Sequence, residues 1–181
     1  LEGLFGLGEL KSGQTVVISG AAGAVGYLAV QMALAAGVNV VAIANVADHA
    51  ILGALGQMTL IDYNNLDQLS EVGAVDLWFD LIGGDKAIEQ LGKLAIIKRL
   101  VTVPTITAPA VCASVERKGT KAQGMLISPD IDLLKKLVTM VEKGELKLNI
   151  AKYMNFKQAA DAHRLLETGQ LKGKVVLEFN D

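Results

Sequence analysis

Short apolar runs and amphipathic stretches alternate along this chain. Val16, Val17 and Ile18 are consecutive apolar residues, as in a strand buried on both faces of a parallel sheet. Gly20, Gly23 and Gly26 follow, with only Ala and Val between them. A helical pattern then runs to Ala36 and stops at Gly37, with Val25, Leu28, Ala29, Met32 and Ala36 on one face. Its many alanines keep that helix slim enough to lie close to a sheet. Further strands are predicted over 38–44, 59–61, 75–82, 99–103 and 123–127. Helices are predicted over 47–55, 66–71 and 85–94, the last with Asp85 as its N-cap. Leu4, Leu7 and Leu10 suggest a short helix ahead of all this, with Lys-Ser-Gly as its exit turn. Residues 105–115 show no strong period. Ser128-Pro129-Asp130 reads as a helix start, and Ile131, Leu134, Leu137, Val138 and Val141 as that helix's buried face, ended by Gly144. A strand over 146–150, a helix over 156–168 and a last strand over 174–179 complete the pattern. Strands alternating with helices predict an α/β fold: a doubly wound, six-stranded parallel Rossmann sheet with helices on both faces.

The chemistry concentrates at the first turn. Strand, glycine turn and helix together are what a dinucleotide pyrophosphate needs. Small residues let the backbone approach the phosphates, and the free N–H groups of a helix start point at the anion. Gly20-x-x-Gly23-x-x-Gly26 departs from the common G-x-G-x-x-G spacing, because Ala21-Ala22 fills the middle. The alternative is a tight βα turn packed closely with no ligand. At the end of a second strand, an acidic side chain would suit the ribose hydroxyls of NAD and a basic one the 2′-phosphate of NADP. This strand ends Ala42-Ile43-Ala44-Asn45, and no Lys or Arg lies between Ser12 and Lys86. A 2′-phosphate would rely on neutral groups: Asn45, His49, Tyr63 and backbone N–H.

Composition narrows the class. Over 181 residues, 51% are apolar, and the mean hydropathy of +0.40 implies apolar surface meant for a partner domain or subunit. Every apolar run is too short to span a membrane, and no signal-peptide pattern opens the chain. A net charge of −2 without a basic stripe argues against nucleic acid. A single cysteine, Cys112, excludes an internal disulfide framework and fits a reducing, cytoplasmic setting. Cys112, His49 and His163 lack metal-ligand spacing. Cys112 reads as a half-buried loop residue and His163 as a helix-surface one. Asp76 and Asp80 flank Trp78 on one face of a strand, where a carboxylate at the strand end caps a neighbouring loop more often than it performs acid–base work.

Several stretches together resemble the medium-chain dehydrogenase/reductase superfamily, and within it the zinc-independent quinone oxidoreductase-like branch. They are Ala21-Ala22-Gly23-Ala24-Val25-Gly26, Leu55-Gly56 with Ile61-Asp62-Tyr63, and Val75-Asp76 with Asp80 and Gly83-Gly84. Near the end come the segment from Ala159 to Gly169 and then Gly173-Lys174-Val175-Val176-Leu177. The resemblance implies hydride transfer from NADPH, with NADH possible, to a quinone or other conjugated carbonyl. It implies that Ala22, Gly23, Ala24, Val25 and Gly26 hold the pyrophosphate. Asn45 and Tyr63, with His49 nearby, would face the adenosine ribose and its 2′-phosphate. Ile82, Gly83, Val103, Pro104, Met125, Leu126 and Ile127 would line the nicotinamide. Many members carry Ser at the position of Asn45 and a basic residue at that of Ala47. Members are about twice this length, so residues 1–145 are expected to form the nucleotide domain, and 146–181 a segment returning to a catalytic domain outside this chain. A homodimer paired through the strand at 121–127 is also implied. A dinucleotide-sensing or interaction module that kept the fold and lost the reaction is the alternative function.

Overall fold

Strands β1 (Thr15–Ser19), β2 (Asn39–Ala44), β3 (Thr59–Asp62), β4 (Val75–Asp80), β5 (Ile97–Thr102) and β6 (Lys121–Gly124) form one sheet in a computed structural model that describes residues 1–116, 119–169, 171 and 173–179. The order is β3-β2-β1-β4-β5-β6 and every pairing is parallel. This is the doubly wound Rossmann arrangement. The strand order reverses beside β1, with β2 on one side and β4 on the other, which opens a crevice at the carboxyl ends of the strands.

The consecutive apolar residues of the strands serve two cores, because alternate side chains point to opposite faces. Val16, Ile18, Val40, Ala42, Leu77 and Phe79 join one core, with Leu4 and with Ala29, Val30 and Ala33 of α1 (Ala24–Ala35). Val17, Val41, Ile43, Trp78 and Leu100 join the other. That second core also takes Ala87 and Leu91 from α3 (Gly84–Gly92) and Val111 and Val115 from α4 (Ala108–Glu116). Between β2 and β3 lie a 3-10 turn, Val46–Asp48, and the short helix α2 (His49–Gly53).

After α5 (Ile131–Glu142) the chain builds a separate two-stranded parallel sheet from β7 (Ile150–Asn155) and β8 (Lys174–Glu178), joined through α6 (Ala159–Glu167). Gln31 of α1 anchors the approach to it. Its Nε2 donates to the Lys147 carbonyl at 3.0 Å and its Oε1 accepts from the Lys147 N–H at 2.8 Å. Leu146 beside it is buried in the first core.

Several local expectations change. Residues 105–115 contain helix α4, because small residues hide its period and Pro109 occupies its first turn. The strand expected at 123–127 is β6, which ends at Gly124, so Leu126 and Ile127 lie beyond the sheet. The strand expected at 146–150 begins only at Ile150. Asp85 is inside the first turn of α3; Gly83, at φ +65°, is the N-cap. Val25 is exposed, and the buried face of α1 runs instead through Gly26, Ala29, Val30 and Ala33. Helix α5 buries none of its residues. Leu137, Met140 and Val141 pack against the first core, but Ile131, Leu134 and Val138 remain exposed. The helix pattern was real, yet nothing among the described residues covers that half of it.

Candidate functional site

The β1–α1 turn is built so that two glycines serve the fold and a third serves the space in front of it. Gly20 has φ +70°, a left-handed conformation costly for any residue with a Cβ. At Gly26 a Cβ would run into the Gly20 carbonyl oxygen and lie 2.7 Å from Ala21 Cα, so only glycine lets α1 start this close to the turn. Gly23 differs: a Cβ there would meet nothing but the Gly20 oxygen, at 3.2 Å. The fold could accept a side chain at 23 with a small adjustment. That side chain would enter the crevice, whose wall Gly23 forms. The first bond of α1 runs from the Tyr27 N–H to the Gly23 carbonyl, 2.8 Å. The N–H groups of Ala24, Val25 and Gly26 therefore precede the ladder, as at any helix start, and make an electropositive end.

The crevice is a cavity of about 720 Å³. Gly20, Ala22, Gly23 and Ala24 form its floor, and Ala44, Asn45 and Asp48 one wall. Tyr63, Asn64 and Leu66 follow β3, and Ile82, Lys86, Glu89 and Gln90 close the side toward α3. Asn45 and Tyr63, expected to face the same end of a dinucleotide, meet here: Asn45 Nδ2 donates to the Tyr63 hydroxyl at 2.9 Å, and Asn45 Oδ1 accepts from the Ala47 N–H at 2.9 Å. His49 does not line the cavity; it opens α2, and its Nε2 is buried without a hydrogen-bond partner. Lys86 ends the long stretch without Lys or Arg and comes to the cavity from α3, bringing a cation that the end of β2 lacks.

The remaining predicted positions gather at the carboxyl ends of β4, β5 and β6, outside the main cavity apart from Ile82. Gly83 packs on Pro104: a Cβ there would lie 2.8 Å from Pro104 Cβ. The Val103 N–H donates to the Asp80 carbonyl at 2.9 Å, and the Met125 N–H to the Thr102 carbonyl at 2.8 Å. Leu126 is 82% and Ile127 69% exposed.

Asp80 organises this end of the sheet. It is fully buried at the end of β4. Its Oδ1 accepts from the Ser19 hydroxyl at 2.9 Å and from the Ile82 and Gly83 N–H groups at 3.0 and 3.1 Å. Its Oδ2 accepts from the Thr102 hydroxyl at 2.6 Å. One carboxyl thus ties β1, β4 and β5 together and sets the turn that carries Ile82 and Gly83. This is the loop-capping role expected for it. Asp76, at the other end of β4, accepts from Lys98 Nζ at 2.7 Å and the Thr15 N–H at 2.9 Å, and these bonds hold its carboxyl below the usual range. Cys112 is on helix α4 rather than in a loop, and burial raises its thiol. Among the described residues, no three His, Cys, Asp or Glu side chains come together as a metal-ligand set, and no helix is long and apolar enough to cross a membrane.

Comparison with known proteins identifies the family and the fold. A family model described as zinc-binding dehydrogenase matches residues 55–177. The solved structure of the quinone oxidoreductase from Coxiella burnetii is 36% identical, with a TM-score of 0.89 over 99% of this chain and 56% of that one. YfmJ of Bacillus subtilis, assigned as an NADP-dependent oxidoreductase, is 29% identical over 99% of this chain and 60% of its own length. The chloroplastic NADPH-dependent alkenal/one oxidoreductase of Arabidopsis thaliana is 28% identical over 93% of this chain and 42% of its own. The chain thus spans about half the length of the relatives it matches.

Proposed function

This chain belongs to the zinc-binding dehydrogenase family, and on that premise we propose that it is the cofactor-holding half of an NADPH-dependent reductase acting on a quinone or conjugated carbonyl. The observation that carries the reading is Gly23. Its missing side chain is worth little to the packing of α1 and opens the cavity floor at a helix start. A turn glycine serving packing alone would resemble Gly26. The dinucleotide, when bound, supplies the hydride. This chain's residues would hold it. Ala22 to Gly26 would take the pyrophosphate on backbone N–H groups. Asn45 and Tyr63 would take the adenosine ribose and 2′-phosphate. Ile82 and Gly83, fixed by Asp80, with Val103, Pro104 and Met125 to Ile127, would flank the nicotinamide.

The exposed Ile131, Leu134 and Val138 support the further reading that residues 146–181, together with α5, meet a catalytic domain outside this chain. We place the protein in the cytoplasm and read it as a homodimer through the β6 edge.

Isothermal titration of NADPH and NADH into this chain tests the function. Saturable binding of NADPH is expected, weakened at least about tenfold in Gly23→Val, which is roughly 1.4 kcal/mol. Undiminished binding by the variant would refute the placement of the pyrophosphate at this turn.

A further inference from the structure

A second, smaller cavity opens at the other end of the sheet, where the strands begin. It measures about 240 Å³, and among the described residues it shares no lining with the crevice. Lys98 and Arg99 come to it from the start of β5, Lys121 from the start of β6, and Glu9 and Lys11 from the segment ahead of β1. With Asp76 of β4, the lining sets four cations against two carboxylates, in a chain whose net charge is −2. Both carboxylates are already engaged. Asp76 pairs with Lys98 and accepts from the Thr15 N–H. Glu9 pairs with Arg99 at 2.7 Å. Lys11 and Lys121 have no ion-pair partner among the described residues. Lys121 is also the register partner of Arg99 in the β5–β6 ladder, which puts two cations side by side on one face of the sheet. Like charges so placed repel each other, and an anion between them turns that repulsion into attraction.

We propose that this cavity binds a phosphate group, free or as the monoester of a small alcohol, on Arg99, Lys121 and Lys11. Arg99 is the fixed member. Its side chain is only 20% exposed, and its planar guanidinium presents paired donors that match phosphate oxygens. The two exposed lysines add adaptable donors at the rim. Glu9 supplies the negative charge that Arg99 meets within the chain itself. Among the described residues it is the only non-glycine with a positive φ, +48°, a conformation that costs energy and persists where the surroundings impose it. Here the imposing contacts are the Leu10 N–H on the Leu4 carbonyl, at 3.1 Å, and the burial of Leu10. The turn so made carries the Glu9 carboxylate to Arg99. That side chain is 65% exposed, so the pair is weak and an incoming phosphate can displace it. The cavity admits a phosphate with a short attached chain and lies below the size of clefts that enclose larger ligands.

Titration of inorganic phosphate into the isotope-labelled chain, followed by NMR at low and constant ionic strength with chloride as the balancing anion, tests this. Amide shifts that saturate in the low millimolar range are expected at Lys11, Lys98, Arg99 and Lys121. Lys121→Gln should weaken the binding at least about fivefold. Lys152→Gln, an equal loss of charge at an exposed position of β7, should leave it within about twofold. Both lysines are exposed, so neither variant disturbs the core. Ethyl phosphate is titrated in parallel. Tighter binding than phosphate assigns the cavity to a monoester, and equal or weaker binding assigns it to the free anion. Shifts that fail to saturate with either probe overturn the proposal. So do shifts confined to the β1–α1 turn, or equal weakening by the two lysine variants. The cavity stands apart from the crevice, so none of these results bears on the dinucleotide reading.

Discussion

At the scale of single residues, the most consequential group is the buried carboxyl of Asp80. Four donors converge on it from β1, β5 and the turn after β4. Thr102→Val keeps the shape of the side chain and removes the hydroxyl, leaving Oδ2 without that donor. The expected cost is about 1–3 kcal/mol, read as a lower urea midpoint with an unchanged slope. An unaltered midpoint would mean that the hydroxyl contributes nothing. The carboxylate was visible in the sequence as a charge in an apolar strand, and its loop-capping role followed from its place at the strand end. Its partners Ser19 and Thr102 were not legible. They lie 61 and 22 residues away in sequence, and only the pairing of β4 with both β1 and β5 brings them to it. The place of Gln90 on the cavity wall was not legible for a related reason. A polar residue on an amphipathic helix reads as solvated until the helix is seen to turn that side toward a cavity.

At the scale of elements, the proposed site puts the choice between the two nicotinamide cofactors at the end of β2. It ends in Asn45, whose side chain is already engaged by the Ala47 N–H and the Tyr63 hydroxyl. In the proposed site these neutral groups would contribute roughly 0.5–1.5 kcal/mol per hydrogen bond to a 2′-phosphate, less than a charge-assisted pair. The buried Asp48 on the same wall adds charge of the wrong sign. Preference for NADPH over NADH should stay below about a hundredfold, or ~2.7 kcal/mol in the ratio of dissociation constants. A ratio well above that would mean that a cation reaches the phosphate, with Lys86 on the opposite wall as the first to replace. The strands were legible because burial on both faces leaves consecutive apolar residues, and the glycines marked the turns. Helix α4 was not, since Ala and Pro give no amphipathic period. The limit of β6 was missed as well, because Met125, Leu126 and Ile127 continue an apolar run after pairing with β5 has ended. For α5 the sequence showed an apolar stripe but not which part of it this chain would cover.

At the scale of the whole molecule, the order of the sheet leaves β6 at an edge, paired on one side only with β5. An edge strand presents N–H and C=O groups to solvent and is a template for another chain. Its own residues are short and mixed, Lys-Ala-Gln-Gly, which weakens it as a template by itself. The apolar material comes just after it, in Leu126 and Ile127, both largely exposed. Two copies related by a two-fold axis would bring these residues from both chains together, an isologous contact of the commonest kind. The variant that tests this must act on the exposed side chains. Leu126→Pro is a poor choice, because Leu126 lies outside the β5–β6 ladder and a proline there deletes no bond within it. Leu126→Asp places a charge opposite its own copy in such a dimer and leaves the monomer's core untouched. Light scattering at micromolar concentration should give the mass of a dimer for the wild type and that of a monomer for Leu126→Asp. A wild type that is monomeric there rules the edge pairing out, and a dimer that survives the substitution places the interface elsewhere, with the exposed Ile131, Leu134 and Val138 of α5 as the next surface to charge.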